Sequence, residues 1–407
     1  MKNNEYKEYN YVKNNSFEKV TINLSFKNIE SKPLVKIGAS LKKGDIIAGG
    51  ENRPKIFAPF DCKVKDFKKI STGENLVSSH IELEREINDF PMENITLTKV
   101  ITPLDFLKKI EEQGVIDCQE NCDIYEELSQ KIEKIQNLVI NFYDLRKHDF
   151  TRKYLFLNKK EEIVKCLNFL NDIFNFKKIT IILDYQNYDI INEYKSVLEN
   201  KFKNLSFMIV KNNFDYNTRL KFRLLSPVLS TKFLSSLKTL YFDGKTFFDV
   251  YTACINNQKI TSTYFTISGD AINNQGIYKM PIGISIKEII ELAETKNTYD
   301  YVDNYVYNAM EAFNDEMIFE KEIEQETDEI KKQKLQKLLE EKTIEANEKI
   351  YSKRMETLDY YNKCLGIVFE IKGDKNLEVF SQFNVVTPST SAIVMLTRET
   401  IKKSKLK

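Results

Sequence analysis

The stretch YFTISGDAINNQGIYKMPIGISIKEII, residues 264–290, is the most informative in this chain. Gly269, Gly276 and Gly283 fall seven residues apart among alternating apolar segments, in a chain of 407 residues with only 12 glycines. Glycine is used where a backbone takes positive φ or another segment approaches closely, so regular spacing between short strands predicts turns set by geometry. The stretch then runs into SIKEIIELA, where Ser285 is placed to cap a helix.

Around this stretch, the length leaves room for two to four domains of roughly 100–200 residues each. Lys+Arg 61 against Asp+Glu 60 leaves a net charge of +1, so no global field points to nucleic acid as a partner. Six cysteines are scattered, and the only close pair, Cys118 and Cys122 in CQENC, has three intervening residues rather than the two usual in zinc or redox hairpins. They read as thiols without a metal. The N-terminal MKNNEYKEYNYVKNN has no apolar core, and no run reaches the roughly 18 apolar residues that span a bilayer. The expected location is cytoplasmic, with any contact at the inner face of the membrane made through partners.

The expected fold class is multidomain α/β. Residues 20–95 contain KPLVKIGASLKKGDIIAGGENRPKIFAPFDCKVKDFKKISTGENL, short apolar alternations broken by Gly and Pro, which predict a turn-rich β-unit. Residues 100–237 open with TPLDFLKKIEEQG, a capped amphipathic helix with Leu104, Leu107 and Ile110 at helical spacing, and continue strand, helix, strand, helix, strand. That alternation predicts a parallel sheet with right-handed crossovers, a Rossmann-like layer. Residues 238–300 return to β-character around the helix GKTFFDVYTACIN. Residues 301–362, rich in Glu, Lys and Leu, predict a charged helical insertion, and 363–407 a β segment with a basic tail.

Several of these parts resemble known families. VKIGASLKKGDII followed by IFAPFDCKVKDF resembles the barrel-sandwich hybrid of biotinyl and lipoyl carrier domains. A carrier would present a modified lysine in the hairpin before the AP turn. Here the hairpin reads GGENRP and Lys55 sits only three residues before Ala58, so a docking scaffold is expected instead. TISGDAINNQGIYKMPIGISIKEIIELA resembles an SLBB domain, a β-grasp-like fold whose turns carry Gly269, Gly276 and Gly283. The order of parts, with FFDVYTACINNQKITSTYFTISGDA and VTPSTSAIVMLTRE, resembles the RnfC family, a component of the Rnf electron-transport complex. It is more distantly similar to the NqrA component of the Na+-translocating NADH:quinone reductase.

The departures from the RnfC family carry the chemical expectations. RnfC proteins follow the helix resembling LDFLKKIEEQGVI with a Gly-rich loop whose N–H groups approach a nucleotide or flavin phosphate. Here the loop reads DCQENCDIYEELSQK and offers Asp117, Glu120, Asp123, Glu126 and Glu127 around Cys118 and Cys122, carboxylates where phosphate needs donors. FMN and NADH binding there is expected to be lost or badly weakened. The family also carries two CxxCxxC clusters for 4Fe–4S centres, whereas here no cysteine follows Cys364, so no iron–sulfur cluster is expected.

The remaining chemistry is sparse. The sequence holds no HExxH, nucleophile elbow, P-loop or paired carboxylates, and only two histidines, His80 and His148, so no catalytic residue is assigned. DLRKHDF, around His148, reads as a surface loop. The 21 tyrosines and 27 phenylalanines read as core. The resemblance implies a cofactor-poor protein that docks on the integral membrane subunits of an ion-translocating electron-transport complex. Two alternatives stand beside it: a repurposed SLBB and barrel-sandwich protein binding a cobalamin- or glycan-like small molecule, and a component of an NADH dehydrogenase with flavin in an unfamiliar loop.

Overall fold

The computed structural model describes residues 7–11, 17–70 except 28 and 52, 78–86, 100–144, 148–184, 198, 201–210, 238–293, 367–372, 375–378 and 384–396, with isolated helical positions between 331 and 341. It is a mixed α/β protein with several sheets. The expected insertion at 301–362, the helix expected over 188–202 and the basic tail lie largely or wholly outside the described residues. No described helix is long and apolar enough to cross a membrane.

The N-terminal part holds β1 (Glu8–Asn10), β2 (Lys19–Asn23), β3 (Ser25–Phe26), β4 (Ile29–Glu30), β5 (Lys32–Pro33), β6 (Ser40–Leu41), β7 (Ile46–Gly49), β8 (Ile56–Phe57), β9 (Cys62–Ile70) and β10 (Ser78–Arg85). An antiparallel sheet runs β2-β10-β9-β6, and a second runs β5-β7-β8. Period-2 alternation puts Val20, Ile22, Val64, Ile81 and Leu83 inside, so the apolar set selects the register. Two tight turns repeat one solution. Ala39 N donates to Lys36 O with Gly38 at φ +85°, and Asp45 N to Lys42 O with Gly44 at φ +87°. Glycine in the third position of each is what a type II turn requires.

The end of this unit is covered by the rest of the chain. α1 (Pro103–Glu112) is followed by Gly114 at φ +73°, and a Cβ there would lie 2.5 Å from Phe57 Cε2 and 2.7 Å from Lys55 O. Lys55 pairs with Glu111 at 2.9 Å, and the Lys259 ammonium sits 4.6 Å from the Phe57 ring centre while donating to Glu112 O at 3.0 Å. α1 starts as its sequence predicts: Thr102 and Asp105 form a reciprocal capping box, with Pro103 in the first turn. Its inward face is Phe106, Leu107 and Ile110; the expected apolar position Leu104 points outward instead, 54% exposed.

Next come β11 (Ile116–Asp117), β12 (Cys122–Asp123), α2 (Ile124–Ser129), β13 (Asn137–Asn141), α3 (Thr151–Asn158), α4 (Lys160–Phe174), β14 (Lys178–Asp184), β15 (Leu205–Val210), β16 (Thr239–Asp243) and α5 (Gly244–Cys254). β15-β14-β13-β16 form one parallel sheet. Leu138, Val139 and Ile140 are all buried, as expected for a strand covered on both faces. The strand order reverses between β13 and β16, and in open parallel sheets such a switch opens a crevice at the carboxyl ends.

The last sheet contains β17 (Ser262–Ser268), β18 (Gly276–Pro281), β19 (Ile367–Lys372), β20 (Lys375–Glu378) and β21 (Thr390–Leu396), in the order β1-β18-β17-β21-β19-β20, with α6 (Ile286–Ala293) after β18. Gly269 has φ +119° and lies against β21, where a Cβ would fall 1.9 Å from Met395 O; Gly283 has φ +96°. Gly276 differs from the expected turn: it is the first residue of β18 without positive φ, and it is needed because the chain entering the parallel neighbour β1 lies against it, with Lys7 O 2.5 Å from where a Cβ would stand. α6 opens on a Ser285–Glu288 capping box. One buried apolar cluster joins all these parts, with Ile22, Phe106, Phe247, Ile267 and Met280 among its members.

Candidate functional site

The carboxyl ends of β13 and β16 lie side by side, Asn141 opposite Asp243. Asp243 ends the strand and caps α5: its Oδ1 accepts from Lys245 N at 3.0 Å, and its Oδ2 accepts from Thr246 N at 3.4 Å and Thr246 Oγ1 at 2.9 Å. Gly244 follows because Phe142 Cδ1 lies 2.6 Å from where its Cβ would be. Nothing larger fits between strand end and helix start.

Arg152, fully buried in the first turn of α3, faces this cap. Its Nε donates to Asp243 Oδ1 at 2.9 Å and its Nη1 to Asp149 Oδ2 at 2.8 Å. Asp149 also accepts from Thr151 N, and Asp144 accepts from the backbone N–H groups of Arg152 and Lys153 at 3.0 and 3.2 Å. Both helix N-termini at this edge therefore already hold a carboxylate of the chain, which satisfies their orphan donors. Burial and the neighbouring Asp149 push the Asp144 carboxyl well above its usual range, and burial raises Asp149 against the pull of Arg152. Burial disfavours the Arg152 charge, but Asp243, Asp149 and Asp144 more than offset it.

The sheet that holds β17 and β21 closes the crevice. The Lys245 ammonium donates to the carbonyls of Pro388, at 2.9 Å, and Thr390, while burial lowers its proton affinity. Thr151 Oγ1 meets Thr266 Oγ1 at 2.8 Å and donates to Ser391 O at 2.8 Å; Phe150 N donates to Thr266 Oγ1 at 3.0 Å. Ser268 Oγ donates to His148 O at 2.9 Å. The stretch around His148, expected as a surface loop, is thus anchored at both sides of the histidine: its acids sit against a buried arginine because the β17–β21 sheet packs over it.

The loop at 117–123 is a hairpin, not an open carboxylate loop. Asp117 pairs with Cys122 across β11 and β12, and Asn121 takes φ +53° at the turn. The Asp117 Oδ1 accepts from Gln119 N at 2.8 Å and Glu120 N at 3.0 Å, and Asp123 caps α2 through Tyr125 N at 2.8 Å. Cys118 is buried; its N–H donates to Thr246 Oγ1 at 2.9 Å and its thiol to Asp249 Oδ2 at 3.3 Å. Burial and Asp249 push that thiol well above its ordinary range, and burial raises Asp249 to about 7. Cys122 is partly exposed and carries no disulfide. Gly269, Gly276 and Gly283 stand apart from this hairpin, the first against Met395 of β21, the second against Lys7 beside β1 and the third against Thr21 and Ile22 of β2. His80 is buried in β10, its Nδ1 2.8 Å from Ser78 O. Among the described residues no group of three or more His, Cys, Asp and Glu is placed to hold a metal ion.

Arg152, Asp149, Asp243 and Lys245 were not singled out from the sequence. The available signal is Asp directly after the apolar strand TLYF and directly before GKTFF, a strand-to-cap junction.

No family model matches the chain, and no curated protein matches it. Similar solved structures are two of NAD+-reducing NiFe hydrogenase. The air-oxidised state is 12% identical with a TM-score of 0.37, and the H2-reduced state 13% identical with 0.38. Each covers 48% of this chain, which spans 40% of theirs.

Proposed function

We propose that this chain is a cofactor-poor peripheral component of a membrane ion-translocating electron-transport complex, of the RnfC and NqrA kind, acting mainly in docking and assembly. The N-terminal sheets then correspond to a barrel-sandwich hybrid, the parallel sheet to a Rossmann-like unit, and β17, β18 and α6 to an SLBB fold. Integral membrane subunits are its partners, and NADH, ferredoxin or quinone oxidoreduction belongs to the complex.

One observation carries the cofactor-poor part. The groups that would meet a pyrophosphate at the switch point are engaged within the chain: Gln119 and Glu120 N–H by Asp117, Cys118 N–H by Thr246, the α5 N-terminus by Asp243, and the Lys245 ammonium by two carbonyls. An entering diphosphate would have to expel two carboxylates and meet their charge. The residues present do not fit FMN or NADH there, and no iron–sulfur ligation is proposed.

The test combines two measurements. Mass spectrometry of proteins that co-purify with the tagged chain from gently solubilised membranes should recover polytopic electron-transport subunits in stoichiometric amounts. Calorimetric titration of the purified chain with FMN and NADH should give no binding heat. A flavin absorbance bleached by NADH would overturn the cofactor-poor assignment, and absence of any membrane partner would overturn the docking role in favour of a free-standing small-molecule binder.

A further inference from the structure

Large apolar side chains that stand exposed fall, apart from Leu338, into two groups among the described residues. Leu34, Ile37 and Ile46 are 55%, 57% and 39% exposed, and Ile101 and Leu104 are 62% and 54% exposed. Leu34 and Ile46 meet over β7: a Cβ on Gly49 would lie 3.8 Å from Leu34 Cδ1, 3.6 Å from Ile46 Cδ1 and 3.6 Å from Lys55 Cγ. Ile37 holds the second position of the Lys36–Ala39 turn, beside Gly38, where an added Cβ would meet nothing within 4 Å. The turn is held to β9 by the Gly38 N–H to Val64 O bond at 2.8 Å, and its outer side is open with an exposed isoleucine beside it, a placement that core packing does not explain. Lys55 links the two groups through Glu111, on the α1 face that carries Leu104 seven residues earlier, about 10 Å along the axis.

Charge selects the occupant. Residues 32–46 hold Lys32, Lys36, Lys42 and Lys43 against Asp45 alone, and the Asp45 carboxylate accepts the Lys42 backbone N–H. Lys32 and Lys36 are exposed and make no salt bridge to a described residue. A second copy of the chain would bring these lysines against themselves, which opposes self-association through this face. Exposed Leu and Ile among lysines match a surface whose outer layer is anionic and whose next layer is apolar.

The geometry points to direct docking of this face on an anionic lipid bilayer, with Leu34, Ile37 and Ile46 entering at headgroup depth and Lys32 and Lys36 facing lipid phosphate. This goes beyond the role proposed above, which needs membrane contact only through partner proteins; either can fail while the other stands.

The full chain, prepared without partners, is sedimented with phosphatidylcholine vesicles with or without phosphatidylglycerol. Binding is expected only with phosphatidylglycerol and should weaken with added salt. It should fall roughly 5-fold for each of Lys32→Gln and Lys36→Gln, and vanish in a Leu34→Ser/Ile37→Ser variant. All these positions are exposed, so circular dichroism should be unchanged. Failure to sediment with phosphatidylglycerol vesicles overturns the proposal, as does equal binding by the variants. Capture of an acidic protein through the same residues without vesicle binding overturns it too.

Discussion

Arg152 and Asp243, 91 residues apart in the chain, form a fully buried ion pair with Nε 2.9 Å from Oδ1. The contact ties the start of α3 to the end of β16, and Asp149 takes the second arm of the same guanidinium at 2.8 Å. A buried pair is weak evidence of net stability, because desolvation consumes much of the Coulomb gain, but breaking it leaves a charge stranded.

Arg152→Met should therefore destabilise the fold by about 3–5 kcal/mol, read from the urea midpoint at unchanged slope. Arg152→Lys should restore little, since a single ammonium cannot present two separate donor edges to two carboxylates. A methionine variant as stable as the parent would show that the pair contributes only geometry.

Two glycines separate backbone strain from collision. Gly38 has φ +85° in open space, so Gly38→Ala should cost about 1 kcal/mol. Gly269→Ala adds a clash with the Met395 carbonyl, and a loss of about 4 kcal/mol or more is expected from thermal unfolding. Similar costs at both sites would mean that β21 can move away.

Burial holds the Asp249 carboxyl at about 7, against the opposing influence of Lys245 and the Cys118 thiol. In the unfolded chain the carboxyl takes its ordinary value of about 3.9. The native state thus binds more protons than the unfolded one across that window, and stability from this group is lost as pH rises through it. Asp249→Asn should raise the Tm at pH 8 and leave it nearly unchanged at pH 4. An offset equal at every pH would count against the shift.

Lys245→Met removes the ammonium donor shared by the Pro388 and Thr390 carbonyls. A cost of about 2 kcal/mol is expected, concentrated in the turn before β21. Hydrogen exchange should show faster opening at residues 390–394 than in β13; uniform change across both would refute a local anchor.

Much of the architecture was legible locally. The Thr102–Pro103 start of TPLDFLKKIEEQG, Ser285 ahead of α6 and the apolar run in NLVIN are short-range signals, and each formed the element it predicted. Leu104 misled because helical spacing marks an apolar stripe without saying which residues a neighbour covers; Phe106 took the inward position because its ring stacks edge-on with Phe174. Gly276 misled for a related reason, since turn and close approach use the same residue and only the pairing of β1 alongside it tells them apart.

The helix starts, the short strands and the Gly38 and Gly44 turns were set by the order of residues alone, because these depend on neighbours within a few positions. Long-range packing, in contrast, brought Asp149, Arg152, Asp243 and Lys245 to one sheet edge. The contacts at the sheet edge join residues up to 240 positions apart. Their energies arise from water excluded by the β17–β21 sheet folding over the strand ends, which no local pattern encodes.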